Sequence, residues 1–596
     1  MPSKLYSMAI EWFQYYIVFS TGVSFIFGVT FSQGLVENAV SAVLMSYLTY
    51  SWKKEHLNKA AAVINLKDGI STVMVIAAAH ISDAYLGHFD MVLFSTAAYM
   101  IGLVLLWLGE VVLTYRTNVQ LFYVAMMAIA LGIAGRDASL KAFLADQLRE
   151  LEPSSNIDEE RVEARRKVWW HCAWYSGAAT SAFALQLQVS WAYTFMISAI
   201  SMGVAYLLLW SGTTFYYCKN PTGSPLTIVY RVFKVAIFKQ HFDYPIRHDQ
   251  FFENDGKQLP LLPRIPFFRW MDKAAIVETS PLNSLEEQEK KGKICTVAEV
   301  SRVKVLLEMV PMWTTFLVYS LVEATGSTFF IEQTTNLNDE INIGKTFIVP
   351  IVTFFVIQSF SSFAFSNMYD LLVPKLWGGA NRQRTMLVRI GSGMVCSILC
   401  CITAWQVEVH RLHLVRKGRL TDKSDQTISM SIFWLAPQFC LLGLMEGLAE
   451  EGLQDFFNHH VDESMRSYGP AFGDCILGIG KFLCIPFVLA FRGWFKDTLD
   501  ESHLDEYYRM LAMLSVVNLC FYWYVSNMYG AFKEAQVEEV ALDPLLVLEE
   551  GFRSIVTKFH HRSLSWTAGI LSSSNPHACS HYKVATVLPI RSNTFS

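Results

Sequence analysis

Charged side chains within long apolar stretches are the residues of this sequence best suited to chemistry. An ionisable group costs several kcal/mol at the centre of a bilayer unless it faces water or a partner. Such a group in an apolar segment therefore predicts the binding of a proton or a charged solute. The candidates are Glu37, Arg136, Asp137, Lys141, Glu323, Glu446, Glu450 and Glu451.

The carboxylates of this set could carry protons or contact a solute. Removal from water lets a carboxyl group take up and release protons near physiological pH, so Glu37 is a candidate proton carrier. Its alternative role is a polar contact at a gate or a helix end. Glu446 and Glu450 lie one helical turn apart and could share a proton, whereas Glu451 points elsewhere. A solvated position near a helix end fits Glu450 and Glu451 equally well.

Arg136 offers a planar set of donors that matches nitrate or a carboxylate. Asp137 and Lys141 are spaced i and i+4 on a helix and could neutralise each other. Alternatively, Arg136 or Lys141 reaches across to Glu446 and forms a pair that breaks and reforms during transport. Together, Asp137, Glu323 and Glu446 would repel an anion unless one of them is protonated or paired. A cationic or zwitterionic solute therefore fits as well as an anion.

These side chains need membrane helices to position them. The 596 residues are 53% hydrophobic and only 17% charged, which is too apolar for an ordinary soluble protein. A bilayer core of about 30 Å needs about 20 mostly apolar residues per helix. Twelve segments qualify, at residues 22–50, 69–87, 90–113, 119–146, 168–190, 192–216, 305–330, 345–370, 386–408, 429–453, 469–494 and 508–533.

We expect an all-α membrane protein with twelve transmembrane helices in two six-helix bundles. The bundles span residues 1–216 and 305–533, a proline-rich and charged linker at 217–304 joins them, and a hydrophilic tail follows at 534–596. An even number of helices places both termini and the linker on one side, and the bias of Arg and Lys makes that side cytosolic. The basic residues that agree with this orientation are Arg149, Arg161, Arg165, Arg166 and Lys167. Those that count against it, between the first two helices, are Lys53, Lys54 and Lys59.

Several other classes of function are disfavoured. A net charge of -4 gives no basic excess for nucleic-acid binding. The 11 cysteines are scattered without CxxC pairs, so we expect reduced packing residues rather than disulfides. The sequence has no zinc-protease motif, P-loop or nucleophile elbow, so we expect no enzyme activity, no metal and no cofactor. The expected partners are a small-molecule or ion substrate, protons and the lipid bilayer.

Short strings along the chain resemble the signatures of one transporter family. They are Asn220–Thr227 (NPTGSPLT), Met271–Ile276 (MDKAAI), Cys295–Val297 (CTV), Val310–Trp313 (VPMW), Tyr369–Pro374 (YDLLVP), Arg389–Gly391 (RIG), Pro437–Gln438 (PQ) and Ser464–Ser467 (SMRS). In this order they resemble the plant nitrate/peptide transporter family, the plant branch of the proton-dependent oligopeptide transporters within the major facilitator superfamily. The resemblance covers nearly the whole transmembrane region.

The resemblance implies a transporter of a small solute such as nitrate, a peptide or a plant metabolite. Its two bundles would rock about a site near the midplane between helices one, four, seven and ten, with protons co-transported. The implied location is the plasma membrane or the vacuolar membrane. Two alternatives are an uncoupled facilitator or exporter, and a transporter-like receptor without efficient transport.

The sequence departs from the family pattern on helices one and four. The E-x-x-E-R motif of helix one, which in the family supplies proton-binding carboxylates and a basic partner, is replaced by Thr30, Gln33 and Gly34. An acid appears one turn later, at Glu37. The family's lysine on helix four reads Asp137 here. Both departures put the family route of proton coupling in question.

Other positions follow the family more closely. Glu446 falls where the family has its helix-ten acid, whereas Glu323 occupies a helix-seven position where relatives use histidine or tyrosine, which argues against simple nitrate binding. Asp83 precedes Gly87 in a segment that resembles the loop between helices two and three of major facilitators, where an acid beside a tight turn braces helix ends. Gly87 suits the turn, and His88 replaces the usual basic residue. We expect a structural turn, with pH sensitivity of His88 as the alternative.

Overall fold

A computed structural model describes most of the chain. The described residues are 20–51, 57–111, 115–152, 158–185, 190–221, 223–244, 251–252, 266–277, 288, 292–335, 337–342, 346–376, 382–419, 428–496 and 499–529. The chain forms two units, Met1–Ser526 and Asn527–Ser596, and of the second unit only residues 527–529 are described. The predicted tail at 534–596 lies outside the described residues, as do Lys53 and Lys54.

Helices dominate the described part of the chain. They are α1 (Thr21–Ser46), α2 (Leu57–Ile81), α3 (His88–Val111), α4 (Tyr115–Glu150), α5 (Glu159–Leu185), α6 (Trp191–Ser211), α7 (Pro225–Phe238), α8 (Val297–Glu308), α9 (Val310–Thr314), α10 (Phe316–Gly326), α11 (Phe329–Thr334), α12 (Val352–Leu376), α13 (Arg382–Arg419), α14 (Ala436–His460), α15 (Glu463–Arg466), α16 (Gly469–Ala490) and α17 (Leu504–Tyr529). Short strands are β1 (Leu337–Asn338), β2 (Glu340–Asn342), β3 (Thr346–Ile348) and β4 (Ile428–Ser431). β2 and β3 form an antiparallel hairpin, and β1 pairs in parallel with β4.

The long helices occur in the order that the sequence predicts. Among the described residues, nine helices are long and apolar enough to cross a membrane, namely α1 to α4, α6, α13, α14, α16 and α17. The segment from α8 to α11 is a tenth, bent by 54° between Thr314 and Phe316. Pro311 lies just before this bend and cannot donate a helical hydrogen bond. The remaining two predicted spans are α5 and α12.

α5 and α12 are long enough to span a bilayer but are less apolar than the other spans. They contain 27 and 25 residues, which correspond to about 40 and 38 Å of helix. Two polar residues of α12 contact α14, since Gln358 donates to Glu446 and Ser361 donates to Cys440 Sγ (3.3 Å). Polar contacts of this kind lower the hydropathy of a span without placing polar atoms in lipid.

Several predicted boundaries differ from the structure, and the start of the second span differs most. α2 begins at Leu57 rather than at residue 69, so Lys59 lies in its first turn and not between helices. The added turns include Lys67 and Asp68, which form a 2.6 Å salt bridge, and Asn65, which donates to Cys484 Sγ of α16 (3.4 Å). These polar residues lower the hydropathy of the segment, although their side chains face other parts of the protein.

The two halves of the chain contact each other mainly through α2 with α16 and through α5 with α12. Between α5 and α12, the Tyr175 hydroxyl donates to the Ser359 carbonyl (3.1 Å) and the rings of His171 and Phe363 lie 5.0 Å apart. Within the first half, α1 packs on α5 so closely that the Gly34 position abuts the backbone of Trp174. The predicted site residues lie on α1, α4, α10 and α14.

Part of the predicted linker folds into a compact structure, here called the linker lobe, made of α7, the 3-10 helix Pro266–Ala275 and α8. Its core consists of Val232, Val235, Ala236, Met271, Ala274, Ala275, Val297, Val300 and Val303. Thr296 and Glu299 form a capping box at the start of α8, with hydrogen bonds of 3.1 and 3.2 Å. Buried Asp272 pairs with Lys304. The family-like strings of the linker therefore supply the packing and the caps of this lobe.

Candidate functional site

A buried arginine organises the charges of the first half. Arg136 of α4 is only 3% exposed. Its Nε and Nη2 atoms donate to the two carboxylate oxygens of Asp137 (2.8 and 3.0 Å), and Nη1 donates to Glu37 of α1. The guanidinium also lies 5.3 Å from the ring centroid of Trp174. Three of the five donor hydrogens of Arg136 are therefore engaged by carboxylates, and one face of the group is covered by an indole.

This arrangement differs from both pairings that the sequence suggested. Asp137 bonds Arg136 rather than Lys141, and Arg136 pairs with Glu37 rather than with Glu446. Lys141 instead lies 5.0 Å from the ring centroid of Trp170. Neighbouring residues on a helix point in different directions, but the long arginine side chain can fold back to Asp137, a contact that spacing rules do not anticipate.

Two stacked tryptophans of α5 hold both cations of α4. The rings of Trp170 and Trp174 are 5.8 Å apart and nearly parallel, at 13°. Lys141 lies over the first ring and Arg136 over the second. The structure gives them a cation–π contact with each candidate counter-charge.

The acidic residues of the second half surround one lysine. Glu323 of α10 forms a 2.9 Å salt bridge with Lys481 of α16. Glu446 accepts a hydrogen bond from Gln358, and Glu450 accepts one from the Tyr319 hydroxyl (3.0 Å). Both glutamates also interact electrostatically with Glu323 and with Lys481. Among the described residues, Lys481 therefore forms a salt bridge with Glu323 and interacts at longer range with Glu446 and Glu450.

Asp474 of α16 links the charges of the two halves. It interacts electrostatically with Asp137 and Lys141 of α4 and also with Lys481 and Glu323. Asp68 of α2 adds a further acid that interacts with Lys481. The candidate residues of the first and second halves therefore belong to one electrostatic site.

Glu451 belongs to a separate cluster around Arg389. Arg389 is 3% exposed on its side chain and lies 3.1 Å from Glu451, 2.7 Å from Asp455 and 3.3 Å from Asp370. Its guanidinium also lies over the Tyr369 ring. This cluster joins α12, α13 and α14, and two of the family-like strings, YDLLVP and RIG, contribute its residues.

The segment between α2 and α3 forms a clamp. Gly87 has a φ of 87°, a conformation that glycine adopts without strain. The two ring nitrogens of His88 lie 3.1 Å from Asp83 and 2.7 Å from Asp146 of α4. Two carboxylates facing both nitrogens suit an imidazolium, which donates from each. The clamp ties the connection between α2 and α3 to α4.

The positions of the missing helix-one motif carry no charge and bind no counter-ion. Thr30 donates to the Ile26 carbonyl (2.9 Å), and Gly34 provides space for the backbone of α5. Gln33 is 1% exposed, and both atoms of its amide are without a hydrogen-bond partner among the described residues. Glu37 is thus the acid of α1 that contacts the candidate site.

Comparison with known proteins identifies the family. The profile of the POT family, PTR2, matches residues 89–484, which is well over half of the chain. The chain belongs to the POT family. As a POT-family protein it is a multi-pass membrane protein that transports a small solute, and the resemblance drawn from the sequence is confirmed.

Plant members of the POT family are similar over most of the chain. NRT1/PTR FAMILY 5.7 of Arabidopsis thaliana is 31% identical over 85% of this chain and 87% of its own length. NRT1/PTR FAMILY 5.6 of the same organism is 30% identical, over 84% of this chain and 90% of its own length. The chain therefore spans nearly the full length of these relatives.

Solved POT-family structures share the fold. The peptide transporter PepTSo aligns with a TM-score of 0.59 at 14% identity, over 86% of this chain and 99% of its own. An auto-inhibited POT-family peptide transporter aligns with a TM-score of 0.61 at 16% identity, over 86% and 97%. With the order of the long helices, these alignments confirm the predicted major facilitator fold of twelve transmembrane helices.

Sequence analysis missed several residues of the site. Lys481 and Asp474 lie within the predicted span 469–494, so the rule that selected the other intramembrane charges applies to them as well. Asp68 fell just outside because the predicted second span began at residue 69. Gln358 and Tyr319 carry no charge, and nothing in their spacing distinguishes them from packing residues.

Proposed function

We propose that this POT-family transporter works by alternating access and is driven by protons that bind to carboxylates of its second half. The observation that carries the proposal is the excess of acid around Lys481, which pairs with Glu323 while Glu446 and Glu450 interact with the same two charges. Like charges at close range cannot all ionise in a site of low dielectric. At least one of these glutamates holds a proton in part of the cycle.

The first half supplies the counter-charge and part of the solute site. Glu37, Arg136 and Asp137 form a group on α1 and α4 in which two carboxylates pair with one guanidinium. Asp474 connects this group electrostatically to the second half. The solute binds between α1, α4, α10 and α14, and the halves rock about it. Protonation of Glu446 or Glu450 changes the charge between the halves and so biases the two conformations.

The two bundles comprise residues 1–216 and 305–533, with the linker 217–304 and the tail 534–596 on the cytosolic side. Location in the plasma membrane or the vacuolar membrane would supply the proton gradient on which the transporter depends.

Uptake by oocytes that express the full chain tests the proposal. A mixed panel of nitrate, dipeptides and plant metabolites is offered at an outside pH of about 5.5 and about 7.5, which brackets the range where shifted carboxyl groups change their occupancy. We expect accumulation of at least one solute, stronger at the lower pH. Equilibration without any dependence on pH would support an uncoupled facilitator, and binding without flux would support a receptor.

A further inference from the structure

The bases of the central site already have partners. Arg136 is bonded to Glu37 and Asp137 and is covered by Trp174. Lys481 is bonded to Glu323. An anionic solute would have to displace one of these carboxylates and then lie among the released negative charges. The remaining base, Lys141, lies over the Trp170 ring and interacts electrostatically with Asp474, so an anionic solute at Lys141 would also meet that acid.

Several acceptors of the site are unoccupied. Glu323 Oε2 and Gln358 Oε1 are buried and have no hydrogen-bond donor among the described residues. The other polar atom of each side chain is engaged, by Lys481 and by Glu446. A buried acceptor without a donor costs about 1–3 kcal/mol. Both atoms consequently favour a ligand that brings N–H or O–H groups.

A third unoccupied acceptor lies on α2. Asn65 is fully buried at 0% exposure, and its Oδ1 atom has no donor among the described residues. Its amide nitrogen contacts Cys484, which lies one turn from Lys481 on α16. Within the described structure, Gln33 of α1 adds one unpartnered acceptor and one unpartnered donor, so acceptors predominate among the unpartnered atoms of these four side chains.

The remaining acids lack bases. In the described part of the chain, no lysine or arginine lies within salt-bridge distance of Glu446, Glu450 or Asp474, and the first two bond only neutral groups, Gln358 and Tyr319. The site thus has bases that are already engaged, acceptors that lack donors, and acids that lack a base. This combination is complementary to a positively charged ligand that carries N–H donors.

We propose that the solute is an organic cation with a protonated amine and without an anionic group. Its ammonium binds between Glu446, Glu450 and the free oxygen of Gln358. The Tyr319 hydroxyl donates to Glu450 (3.0 Å), so its ring lies beside this position, and aromatic rings favour cations. Two glutamates on one face of α14 allow one to bind the amine while the other holds the driving proton. This inference rests on the proposed function, because it names the solute of the same site.

Binding to the purified full-length protein in lipid nanodiscs tests the inference. The probes are 2-phenylethylamine as the cation, 2-phenylethanol as its neutral analogue, phenylacetate as its anionic analogue, phenylalanine as a zwitterion, and nitrate. A ligand that binds the folded protein raises its thermal unfolding midpoint with concentration. We expect a rise with 2-phenylethylamine that exceeds the rise with every other probe.

Charge-neutralising variants locate the effect. Glu446→Gln and Glu450→Gln are each expected to weaken the apparent affinity for 2-phenylethylamine by about tenfold or more. Glu463→Gln, which removes an exposed carboxylate on α15, should leave that affinity unchanged. A larger shift with phenylacetate, phenylalanine or nitrate, no shift with 2-phenylethylamine, or an equal response of all three variants would each overturn the inference. Because the comparison of probes uses the wild-type protein, it holds even if a variant fails to fold.

The inference and the proposed function fail in different ways. Proton-driven accumulation of nitrate or of a carboxylate in oocytes would overturn the cationic solute and leave proton coupling intact. If the protein binds 2-phenylethylamine selectively but uptake does not depend on outside pH, the inference of a cationic solute stands and the proposal of proton coupling is overturned.

Discussion

Lys481 of α16 lies 2.9 Å from Glu323 of α10, and it also interacts electrostatically with Glu446 and Glu450 of α14. The side chains are 11% and 19% exposed, so water screens this pair only weakly. A transporter that binds and releases a proton needs carboxylates whose charge is incompletely compensated. One lysine against three acids meets that requirement.

The Glu323–Lys481 pair is expected to show strong energetic coupling. Removal of one partner leaves a poorly solvated charge and typically costs about 3–5 kcal/mol, whereas removal of both costs less. Glu323→Gln and Lys481→Gln should each lower the thermal unfolding midpoint of the purified protein, and the double variant should recover part of the loss. Strictly additive losses would show that the two residues do not interact in the folded protein.

Arg136 is expected to matter for stability because it compensates two acids. Arg136→Gln leaves Glu37 and Asp137 close together without a cation, so the unfolding midpoint should fall. Adding Glu37→Gln and Asp137→Asn to this variant should restore much of the lost unfolding midpoint. The exposed Arg466 of α15 gives a matched control, Arg466→Gln. Equal midpoints for Arg136→Gln and Arg466→Gln would contradict the described role of Arg136.

His88 is expected to restrain the segment that follows α2. His88→Ala removes both of its contacts and Asp146→Asn weakens one, so hydrogen exchange of the amides at 82–87 should accelerate in each variant. Because the residues act in one clamp, the double variant should exchange no faster than His88→Ala alone. His413→Ala, at an exposed position on α13, serves as the control. Unchanged exchange in His88→Ala would rule out the clamp.

The capping box of the linker lobe is expected to hold the first turn of α8. Thr296→Ala removes the cap and should cost about 1 kcal/mol locally. Amide exchange at residues 297–300 should become faster. Thr213→Ala removes a hydroxyl that bonds only the carbonyl of its own helix, at Trp210, and should not affect α8. Equal exchange rates of these amides in the two variants would show that the cap does not stabilise the first turn of α8.

The order of the helices could be predicted because each span is a long apolar segment. The exceptions have a common cause. The first turns of α2 and parts of α12 contain polar residues, yet residues such as Asn65 and Gln358 bond other helices rather than water. Hydropathy measures the composition of a segment and not its surroundings. A polar residue that faces a partner helix therefore shortens or weakens a predicted span.

The site could be predicted by residue type but not by pairing. Intramembrane charge selected Glu37, Arg136, Glu323 and Glu446, and the structure gives each of them a polar partner. The partners depend on how each helix is rotated about its axis, which the sequence of one helix does not determine. Lys481 illustrates this, because its role as the cation of Glu323 becomes visible only when α10 and α16 are placed side by side.

The most direct test of proton coupling compares exchange with accumulation in Glu446→Gln. With a solute identified in the uptake panel, proteoliposomes can measure counterflow, which needs no net proton movement, and accumulation driven by an imposed pH gradient. If Glu446 takes part in carrying the driving proton, the variant should retain counterflow at a solute concentration that saturates its weakened site and should lose gradient-driven accumulation. Accumulation by Glu446→Gln at the wild-type level would contradict the account.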